Sequence, residues 1–373
     1  MSDPTIDKLR STFKGRKVFV TGHTGFKGSW LCLWLKRLGA SVTGYSLPAG
    51  TQPNNFEASH VKELLTKHHE ADICDREGLQ KALQEAQPDF VFHLAAQPLV
   101  RLSFEIPYQT WKTNVLGTAA LLDAVRTLKT PVVVVVVTSD KCYENDEQGY
   151  AFRETDPLGG FDPYSASKAA AELVVASYRR SFFNSMNYEK HLVKLASARA
   201  GNVIGGGDWA QDRIVTEVVR ALATHEPVQL RNPRAVCPWQ HVVEPLSGYL
   251  LLAAKMFESH HPDAFCDAWN FGPAQGAELC VGDFVDGLCK AWGGGSWKDT
   301  TDPRQPHDAS YLRLSIEKAL WNLDWRPRWD IQTTIARTAA WYKLFTSDRP
   351  ASMRAACERD IQAYEESGAQ PRA

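Results

Sequence analysis

The feature that most restricts the fold is a short apolar strand followed directly by a glycine-rich turn and a helix. Lys17–Thr21 has the composition of a buried strand, and three glycines occupy the turn at residues 22–28. Residues 27–39 place apolar side chains at helical spacing, on the face formed by Trp30, Leu31, Trp34, Leu35 and Leu38. A second strand follows at residues 40–44. This order is typical of a parallel sheet, because parallel strands need a long crossover connection.

The same alternation continues through the first half of the chain. We predict further strands at residues 90–94, 132–137 and 191–195 and just before residue 71, and helices at residues 75–86, 113–128 and from Tyr164 onward. The six valines Val132–Val137 are the longest wholly apolar run, which is far short of the ~18 residues of a membrane span. The pattern therefore predicts an α/β fold, a Rossmann-type doubly wound parallel sheet with helices on both faces.

The second half of the chain has a different character. Strand–helix alternation weakens, and prolines and tryptophans cluster around residues 227–245 and 303–329. We predict a dinucleotide-binding domain at residues 1–197 and a smaller C-terminal α/β substrate domain at residues 198–346, some segments of which return to the first domain. No linker separates them, so we expect a ligand cleft between the two. Residues 347–373 are polar and charged, and we interpret them as a peripheral helix or a loose tail.

Charge and cysteine usage exclude several classes of function. The 42 Lys and Arg residues balance 43 Asp and Glu residues, so the net charge of −1 offers no field for nucleic acid or for an anionic membrane. The first residues contain no apolar signal region, which favours a cytoplasmic, reducing environment. The eight cysteines have neither disulfide-framework nor metal-ligand spacing, so we expect buried thiols and no metal.

The glycine turn indicates a dinucleotide cofactor. Glycines spaced G-x-x-G-x-x-G between a strand and a helix let the backbone approach a pyrophosphate at the positive end of the helix. No acidic residue ends the second strand to bind a ribose, and no Arg follows for a 2′-phosphate, which favours NAD over NADP without settling the choice. Asp72 can accept a hydrogen bond from adenine or can cap a turn. The cofactor-binding candidates are Gly22, His23, Thr24, Gly25, Phe26, Lys27, Gly28, Tyr45, Asp72, Ile73, Leu94, Ala95, Ala96 and Gln97.

Tyr164 and Lys168 form the strongest catalytic candidate. Their four-residue spacing places a phenol and an ammonium on one face of a helix. A nearby positive charge favours the phenolate, so Tyr164 can accept a proton from a substrate hydroxyl, while Lys168 also holds the nicotinamide ribose. The pair alone occurs often by chance. It becomes much more specific after a glycine turn and a strand that ends in Thr138, Ser139, Asp140 and Lys141.

Residues 15–329 resemble the extended short-chain dehydrogenase/reductases, specifically the nucleotide-sugar 4,6-dehydratases and, among these, the CDP-glucose branch. The motifs that carry the resemblance are VTGHTGFKGSWL, HLAAQPLVR, TSDKCYEN, YSASK, ARAGNVIGGGDWAQDRIV, RNPRAVCPWQHVVEP, WNFGP and SYLRL. Related dehydratases usually carry Asp-Glu or Ser-Glu after the valine-rich strand. Here Ser139, Asp140 and Lys141 occupy that place, as in the CDP-glucose branch.

The resemblance implies an NAD-dependent hydro-lyase that converts CDP-glucose to the 4-keto-6-deoxy sugar, in deoxysugar synthesis for surface polysaccharides such as lipopolysaccharide. By resemblance, Ser139 aligns the sugar hydroxyl that Tyr164 deprotonates, Asp140 is the general acid and Lys141 the base at C5. The alternative for Asp140 and Lys141 is a solvated ion pair in a loop. The resemblance also implies a homodimer, or a dimer of dimers, formed through the helices at residues 113–128 and 165–180.

Candidates for substrate contacts follow from the same resemblance, with simpler alternatives for each. They are Ser139, Tyr143, Asn202, Arg213, Arg231, Gln240, His241, Arg304 and Tyr311. Tyr143 can instead pack in the core, Asn202 can belong to a turn and the arginines can lie at the surface. Cys237 stands where the family usually has Arg, so one phosphate contact is in doubt, and Arg234 or Arg304 can compensate. Spacing alone identifies no cytosine site.

Two other functions remain open at this point. An epimerase or reductase with the same fold would use Tyr164 and Lys168 but would not need Asp140 or Lys141. A catalytically silent dinucleotide-binding regulator would need none of these residues, and the joint presence of Ser139, Tyr164 and Lys168 speaks against it.

Overall fold

The computed structural model describes residues 3–146, 149–274, 278–302, 312–347 and 351–368. Within them the strands are β1 Lys17–Thr21, β2 Ser41–Ser46, β3 Lys67–Glu70, β4 Phe90–His93, β5 Val132–Val137, β6 Val193–Ala200, β7 Val203–Ile204, β8 Val228–Leu230, β9 Val236–Cys237, β10 Gln240–His241, β11 Ala268–Phe271, β12 Leu279–Cys280 and β13 Trp297–Asp299. The α-helices are α1 Pro4–Phe13, α2 Phe26–Arg37, α3 Asn55–Ala58, α4 Arg76–Ala86, α5 Val100–Glu105, α6 Pro107–Trp111, α7 Gly117–Val125, α8 Pro163–Arg180, α9 Tyr188–His191, α10 Ile214–Ala223, α11 Val243–Glu258, α12 Val281–Trp292, α13 Ile331–Ser347 and α14 Arg354–Glu366. Short 3-10 turns occur at Val61–Leu64, Asp140–Cys142 and Ser185–Asn187, and π-helical turns at Lys112–Leu116 and Ala319–Leu323.

One parallel sheet organises the molecule. Among the described residues it contains seven strands in the order β3, β2, β1, β4, β5, β6 and β11. The order reverses between β1 and β4, and ligands bind in the crevice at such a reversal, beyond the carboxyl ends of the strands. The remaining short strands pair as β7 with β10, β8 with β13 and β9 with β12. The predicted doubly wound α/β fold is confirmed.

Burial on both faces explains why β5 is a run of valines. All six valines are buried. Val133, Val135 and Val137 pack into the apolar cluster on one face of the sheet, and the alternate valines pack into the cluster on the other face. Side chains of a strand alternate between faces, so a strand covered by helices on both sides needs an apolar residue at every position.

Two predicted elements differ from the observed ones. The helix predicted at residues 113–128 is α7, preceded by a π-helical turn at Lys112–Leu116. The strand predicted at residues 191–195 begins later and extends to Ala200. Residues 196–200 include Ala, Ser and Arg, which have weak strand preference, but pairing with β5 on one side and β11 on the other overrides it. The predicted boundary after residue 197 therefore falls inside β6.

The C-terminal segment is more tightly integrated than the predicted peripheral helix or loose tail. Cys357, Ile361 and Tyr364 of α14 are completely buried. The Trp34 indole donates to Glu365 Oε1 over 3.0 Å, and Arg37 binds Glu365 Oε2 at 3.1 Å. The expectation of a peripheral segment is therefore corrected for α14. The charged residues of this helix flank an apolar face, and that face packs on α2.

Replacing Ile361 by Ala should destabilise the protein by about 2–5 kcal/mol, because it leaves a cavity at a fully buried position. Denaturant unfolding measures this loss. The adjacent substitution Gln362→Ala is the control, since Gln362 is exposed and its loss should cost less than about 0.5 kcal/mol. Equal effects at the two positions would show that α14 does not pack as described.

The described helices include none that combines the length and the apolar character needed to cross a membrane. The eight cysteines are free thiols, of which Cys32, Cys142, Cys289 and Cys357 are buried and the others half-buried. Burial raises the pKa of the Cys357 thiol to about 12, which keeps it protonated. The prediction that cysteines serve mainly as small buried residues is confirmed for these four.

Candidate active site

The carboxyl ends of the central strands bring the predicted site residues to one edge of the sheet. Thr21 of β1 pairs with His93 of β4, His93 with Val136 of β5, and Val136 with Ser197 of β6. The glycine turn, the segment after His93, the Ser139 segment and Gly201 directly follow these strands. These segments therefore border one crevice, where the strand order reverses.

The glycine turn forms a cradle that a side chain would fill. Gly22 has a φ of +71°, and a Cβ there would lie 2.6 Å from the backbone nitrogen of Ala95. A Cβ on Gly28 would lie 2.1 Å from the carbonyl oxygen of Gly22. Gly25 precedes α2 without a side-chain cap, so the first amides of the helix remain available. This geometry fits the pyrophosphate of a dinucleotide.

Gly22→Ala should lose about 1–3 kcal/mol of stability and most of its NAD affinity, because the new methyl group needs a left-handed backbone and meets the Ala95 amide. Denaturant unfolding and calorimetric titration with NAD measure the two losses. Gly50→Ala is the control, since a Cβ there would meet no atom within 4 Å. Wild-type NAD affinity in Gly22→Ala would contradict the cradle.

Thr21 and His93 lock the two central loops together. Thr21 Oγ1 lies 2.7 Å from His93 Nδ1 and accepts hydrogen bonds from the amides of Leu94 and Ala95 at 3.2 Å. Burial and the charge of Lys168 lower the pKa of His93 to about 3, so the imidazole is neutral. These contacts hold the half-buried residues 94–96 against the glycine turn. The backbone amide of Gln97, which follows, donates to Asn114 Oδ1.

The other cofactor candidates lie at the ends of β2 and β3. Burial raises the pKa of Tyr45 to about 12, and its hydroxyl donates to the carbonyl oxygen of Asp72 at 3.3 Å. Asp72 Oδ1 accepts from the Cys74 amide at 2.9 Å, which is the turn-capping alternative. Ile73 is buried. The hydroxyls of Thr24 and Ser46 lie 2.9 Å apart beside these residues.

His23 in the turn is held among other rings. Its Nε2 lies 2.7 Å from His68 Nδ1, and a Cβ on Gly44 would lie 2.5 Å from the His23 ring. Burial, followed by the charge of His68, lowers the pKa of His23 to about 3. The adjoining turn residue Phe26 is half-buried at the start of α2.

Helix α8 places Tyr164 and Lys168 beside the end of β5. Asp162 caps the helix, accepting from the Ser165 amide at 2.9 Å, so Tyr164 lies in its first turn. Both Tyr164 and Lys168 are buried. Burial raises the pKa of Tyr164, whereas the hydrogen bond with Ser139 and the charges of Arg213 and Lys141 lower it.

The Ser139 segment forms a tight 3-10 turn around its own side chains. Ser139 Oγ donates to Asp140 Oδ1 at 3.0 Å and accepts from the Lys141 amide at 3.2 Å. Asp140 is buried, and its Oδ2 has no hydrogen-bond partner within the part of the chain that the structure describes. A Cβ on Gly201 would lie 2.6 Å from that oxygen, so glycine leaves room for it.

Burial raises the pKa of Asp140, although Lys141, Ser139 and Lys27 partly oppose the shift. The neutral acid is therefore favoured more than for an exposed aspartate, which suits a proton donor. The solvated ion pair considered for Asp140 and Lys141 does not fit a buried carboxyl group.

A cluster of charges joins the glycine turn to the substrate side of the crevice. The pKa of Lys27 is lowered to about 8, mainly by burial and then by the charge of Arg213, while Asp140 and Asp208 oppose the shift. Arg213 donates to the carbonyl oxygen of Pro98 at 3.1 Å and lies 4.0 Å from Asp208. Sequence reasoning missed Asp208. Its position after three glycines in a motif that also contains Arg213 was the available signal.

The remaining substrate candidates do not share one environment. Arg231 binds Asp212 at 3.1 Å and Glu217 at 2.8 Å, on the wall of a surface cavity of about 540 Å³. The backbone oxygen of Asn202 accepts from the Gln240 amide at 3.1 Å. Arg304 and Tyr311 lie outside the described residues.

Three candidates are engaged in the core. The Tyr143 hydroxyl donates to Asn270 Oδ1 at 2.7 Å, Gln240 donates to the carbonyl oxygen of Phe271 at 3.0 Å, and both are buried. His241 lies between the rings of Trp30 and Trp329, with centroid distances of 5.6 and 4.9 Å. For Tyr143 and His241 the packing alternative describes these contacts, because buried aromatic rings and satisfied hydroxyls stabilise the interior.

Comparison with known proteins identifies the family. The sequence profile of the GDP-mannose 4,6 dehydratase family matches residues 19–338. The CDP-glucose 4,6-dehydratase of Salmonella typhimurium is 46% identical over 359 residues, covering 96% of this chain and 98% of that protein. The dTDP-glucose 4,6-dehydratase of Streptomyces antibioticus is 32% identical over 73% of this chain and 75% of its own length.

Solved structures show the same fold. A dTDP-glucose 4,6-dehydratase from Streptomyces venezuelae with NAD and TYD bound has a TM-score of 0.72 at 24% identity, covering 87% of this chain and 96% of its own. The epimerase Mth375 of Methanothermobacter thermautotrophicus has a TM-score of 0.75 at 22% identity, covering 91% and 96%. From the profile, the close relative and the cofactor cradle together, the chain belongs to the NAD-dependent nucleotide-sugar 4,6-dehydratase family.

Proposed function

We propose that this enzyme converts CDP-D-glucose to CDP-4-keto-6-deoxy-D-glucose with loss of water. The observation that carries the proposal is the juxtaposition of Ser139, Asp140 and Lys141 with Tyr164 at the carboxyl end of β5. An epimerase needs only the hydroxyl-activating tyrosine, whereas elimination needs an acid and a base as well. The relative from Salmonella typhimurium, a CDP-glucose 4,6-dehydratase by name, supports the choice of nucleotide.

The glycine turn is proposed to hold the pyrophosphate of NAD on the free amides of α2, with Gly22 and Gly28 allowing the close approach. Lys168 holds the nicotinamide ribose, and Tyr45 and Asp72 line the adenosine end. NAD supplies, when bound, the group that takes hydride from C4 of the sugar and returns it to C6. The protein supplies the proton transfers and the positioning.

Tyr164 removes the proton from the C4 hydroxyl as C4 is oxidised. Ser139 holds that hydroxyl in line, since it lies close enough to Tyr164 to lower the pKa of the phenol. Burial disfavours the phenolate, and the nearby charges of Arg213 and Lys141 partly offset this effect. The resulting C4 ketone acidifies the proton at C5.

Elimination then uses the two residues beyond Ser139. Lys141 takes the C5 proton, the C5–C6 double bond forms, and the C6 hydroxyl leaves as water with a proton from Asp140. Asp140 suits this donor role, because burial raises the pKa of its carboxyl group. Hydride returned to C6 and a proton returned to C5 complete the 4-keto-6-deoxy sugar, so one water is lost and no net oxidation occurs.

An NMR time course tests the reaction and the nucleotide together. Purified protein is incubated with catalytic NAD and, separately, with CDP-glucose, UDP-glucose, dTDP-glucose and GDP-mannose. We expect a new C6 methyl signal with CDP-glucose alone. A methyl signal with another nucleotide sugar would overturn the CDP assignment, and inversion at C4 without any methyl signal would replace the dehydratase with an epimerase.

We also propose that two copies pair through α8 and the helical segment that ends in α7, in a cytoplasmic enzyme that serves deoxysugar synthesis for surface polysaccharides such as lipopolysaccharide. Tyr108, Trp111, Leu116 and Leu173 are exposed apolar side chains on these helices and on adjoining α6. Exposed apolar surface of this kind is typical of a protein interface. Light scattering should give the mass of a dimer or of a dimer of dimers, and a monomer at working concentration would exclude both.

A further inference from the structure

A buried polar network lies directly behind the proposed catalytic residues. Its centre is Glu172, which follows Lys168 by one turn of α8 and is almost fully buried. Arg199 of β6 donates to Glu172 Oε2 at 2.9 Å, and Ser197 donates to the same oxygen at 2.7 Å. Thr138, which precedes Ser139, donates to Glu172 Oε1. One carboxylate thus joins α8 to the ends of β5 and β6.

The network continues from Arg199 toward the 3-10 turn of the site. Arg199 donates to the Tyr143 hydroxyl at 2.8 Å, and its guanidinium lies 4.9 Å from the centre of the Tyr143 ring. Tyr143 in turn donates to Asn270 of β11 at 2.7 Å. Both ends of the segment from Thr138 to Tyr143 are therefore attached to this network, with the Ser139, Asp140 and Lys141 backbone between them.

The same carboxylate acts on the charge of Lys168. Burial lowers the pKa of Lys168 to about 8, and Glu172 is the largest influence in the opposite direction. Glu172 itself stays ionised, because Arg199 and three hydrogen bonds outweigh the burial that raises its pKa. Among the described residues, the other titratable groups that interact electrostatically with Lys168 are Cys142 in the 3-10 turn, His93 of β4 and Lys27 of α2, and Tyr164 precedes it by one turn of α8.

We propose that Glu172 is a positioning residue of the dehydratase: its carboxylate, paired with Arg199, places a negative charge one helical turn from Lys168 and holds Thr138 so that the Ser139 segment faces Tyr164. The inference rests on the proposed roles of Tyr164 and Lys168. Glu172 lies four residues from Lys168 on the same helix face, which is the spacing at which opposite charges interact. Three neighbours occupy the oxygens of this carboxylate, so its own place is determined by β5 and β6.

Glu172→Gln provides the test, because the amide has the same shape but no charge. Without Glu172 the pKa of Lys168 falls further below about 8, so Lys168 loses its proton at a lower pH. The alkaline limb of kcat against pH for CDP-glucose dehydration should then move downward by about one pH unit, which at the alkaline side is roughly a tenfold loss of kcat. Lys168→Arg tests whether deprotonation of Lys168 causes this limb. A guanidinium keeps its charge at alkaline pH, so the limb should disappear in this variant.

Ser197→Ala is the matched control. It removes one neutral hydrogen bond from the same carboxylate oxygen and no charge, so the alkaline limb should stay in place. Glu172→Asp keeps the charge but moves it away from Lys168, and should shift the limb in the same direction by a smaller amount. If Glu172→Gln does not fold, the comparison of Glu172→Asp with wild type decides the question.

An unchanged alkaline limb in Glu172→Gln, or in Glu172→Asp where only that variant folds, would overturn the inference even if kcat fell equally at every pH. That result would leave Glu172 a residue of structural importance alone. The proposed function would be overturned by a different result, namely wild-type protein that forms no C6 methyl group from CDP-glucose.

Discussion

Replacing Tyr164 by Phe should lower kcat for formation of the C6 methyl group by about 10²–10⁴-fold, the usual contribution of a general base. Tyr164 is buried in the first turn of α8, so the substitution removes one oxygen and leaves the packing of the ring in place. NAD affinity and stability should therefore stay close to wild type. The NMR time course measures the rate, and calorimetric titration measures NAD affinity.

Tyr178→Phe is the matched control for this change. Tyr178 lies on the same helix, and its hydroxyl donates to Asp123 at 2.9 Å, away from the Ser139 segment along α8. Its loss should leave kcat within a factor of about two, given the ±0.5 kcal/mol typical of such sites. A Tyr164→Phe enzyme with more than a tenth of wild-type activity would exclude Tyr164 as the base at O4.

Lys141→Met should also abolish methyl formation, by about 10²–10⁴-fold, for a different reason. The substitution removes the proposed base at C5 but leaves Ser139, Asp140 and Tyr164 in place. The C4 hydroxyl can still be oxidised, while the C5 proton stays on the sugar. Incubation in D₂O distinguishes the two steps, since wild type should incorporate deuterium at C5 and Lys141→Met should not.

Two further variants sharpen that result. Asp140→Asn should lose methyl formation but keep exchange at C5, because the base remains and only the proton donor to the C6 hydroxyl is gone. Lys81→Met, at an exposed position of α4, controls for the loss of a lysine and should have wild-type activity. Deuterium incorporation at C5 by Lys141→Met at the wild-type rate would show that another group is the base.

Local patterns in the sequence were sufficient to predict the strands of the sheet and the positions of the proposed catalytic segments. The six valines of β5 were best explained as a central strand, and the glycines at positions 22–28 could be placed between β1 and α2. Tyr164 and Lys168 lie on one helix face because four residues make about one turn. Each of these inferences depends on residues close together in the chain, where periodicity and backbone sterics decide the outcome.

Other parts of the site were decided by contacts between distant segments. Asp140 Oδ2, which has no hydrogen-bond partner among the described residues, lies against Gly201, which follows a different strand. The raised pKa of Asp140 could therefore not be inferred from its own segment alone. Glu172 and Arg199 meet because α8 packs beside β6, and the polar residues of α14 conceal an apolar face that packs on α2.

The sequence by itself determined which strands and helices form and which reactive groups follow them. Only the tertiary structure decided the charge environment of those groups and the burial of the C-terminal helix. The physical reason is that burial and charge interactions depend on distance in space, whereas the residues that meet here are separated along the chain by 27 positions for Glu172 and Arg199 and by 331 for Trp34 and Glu365.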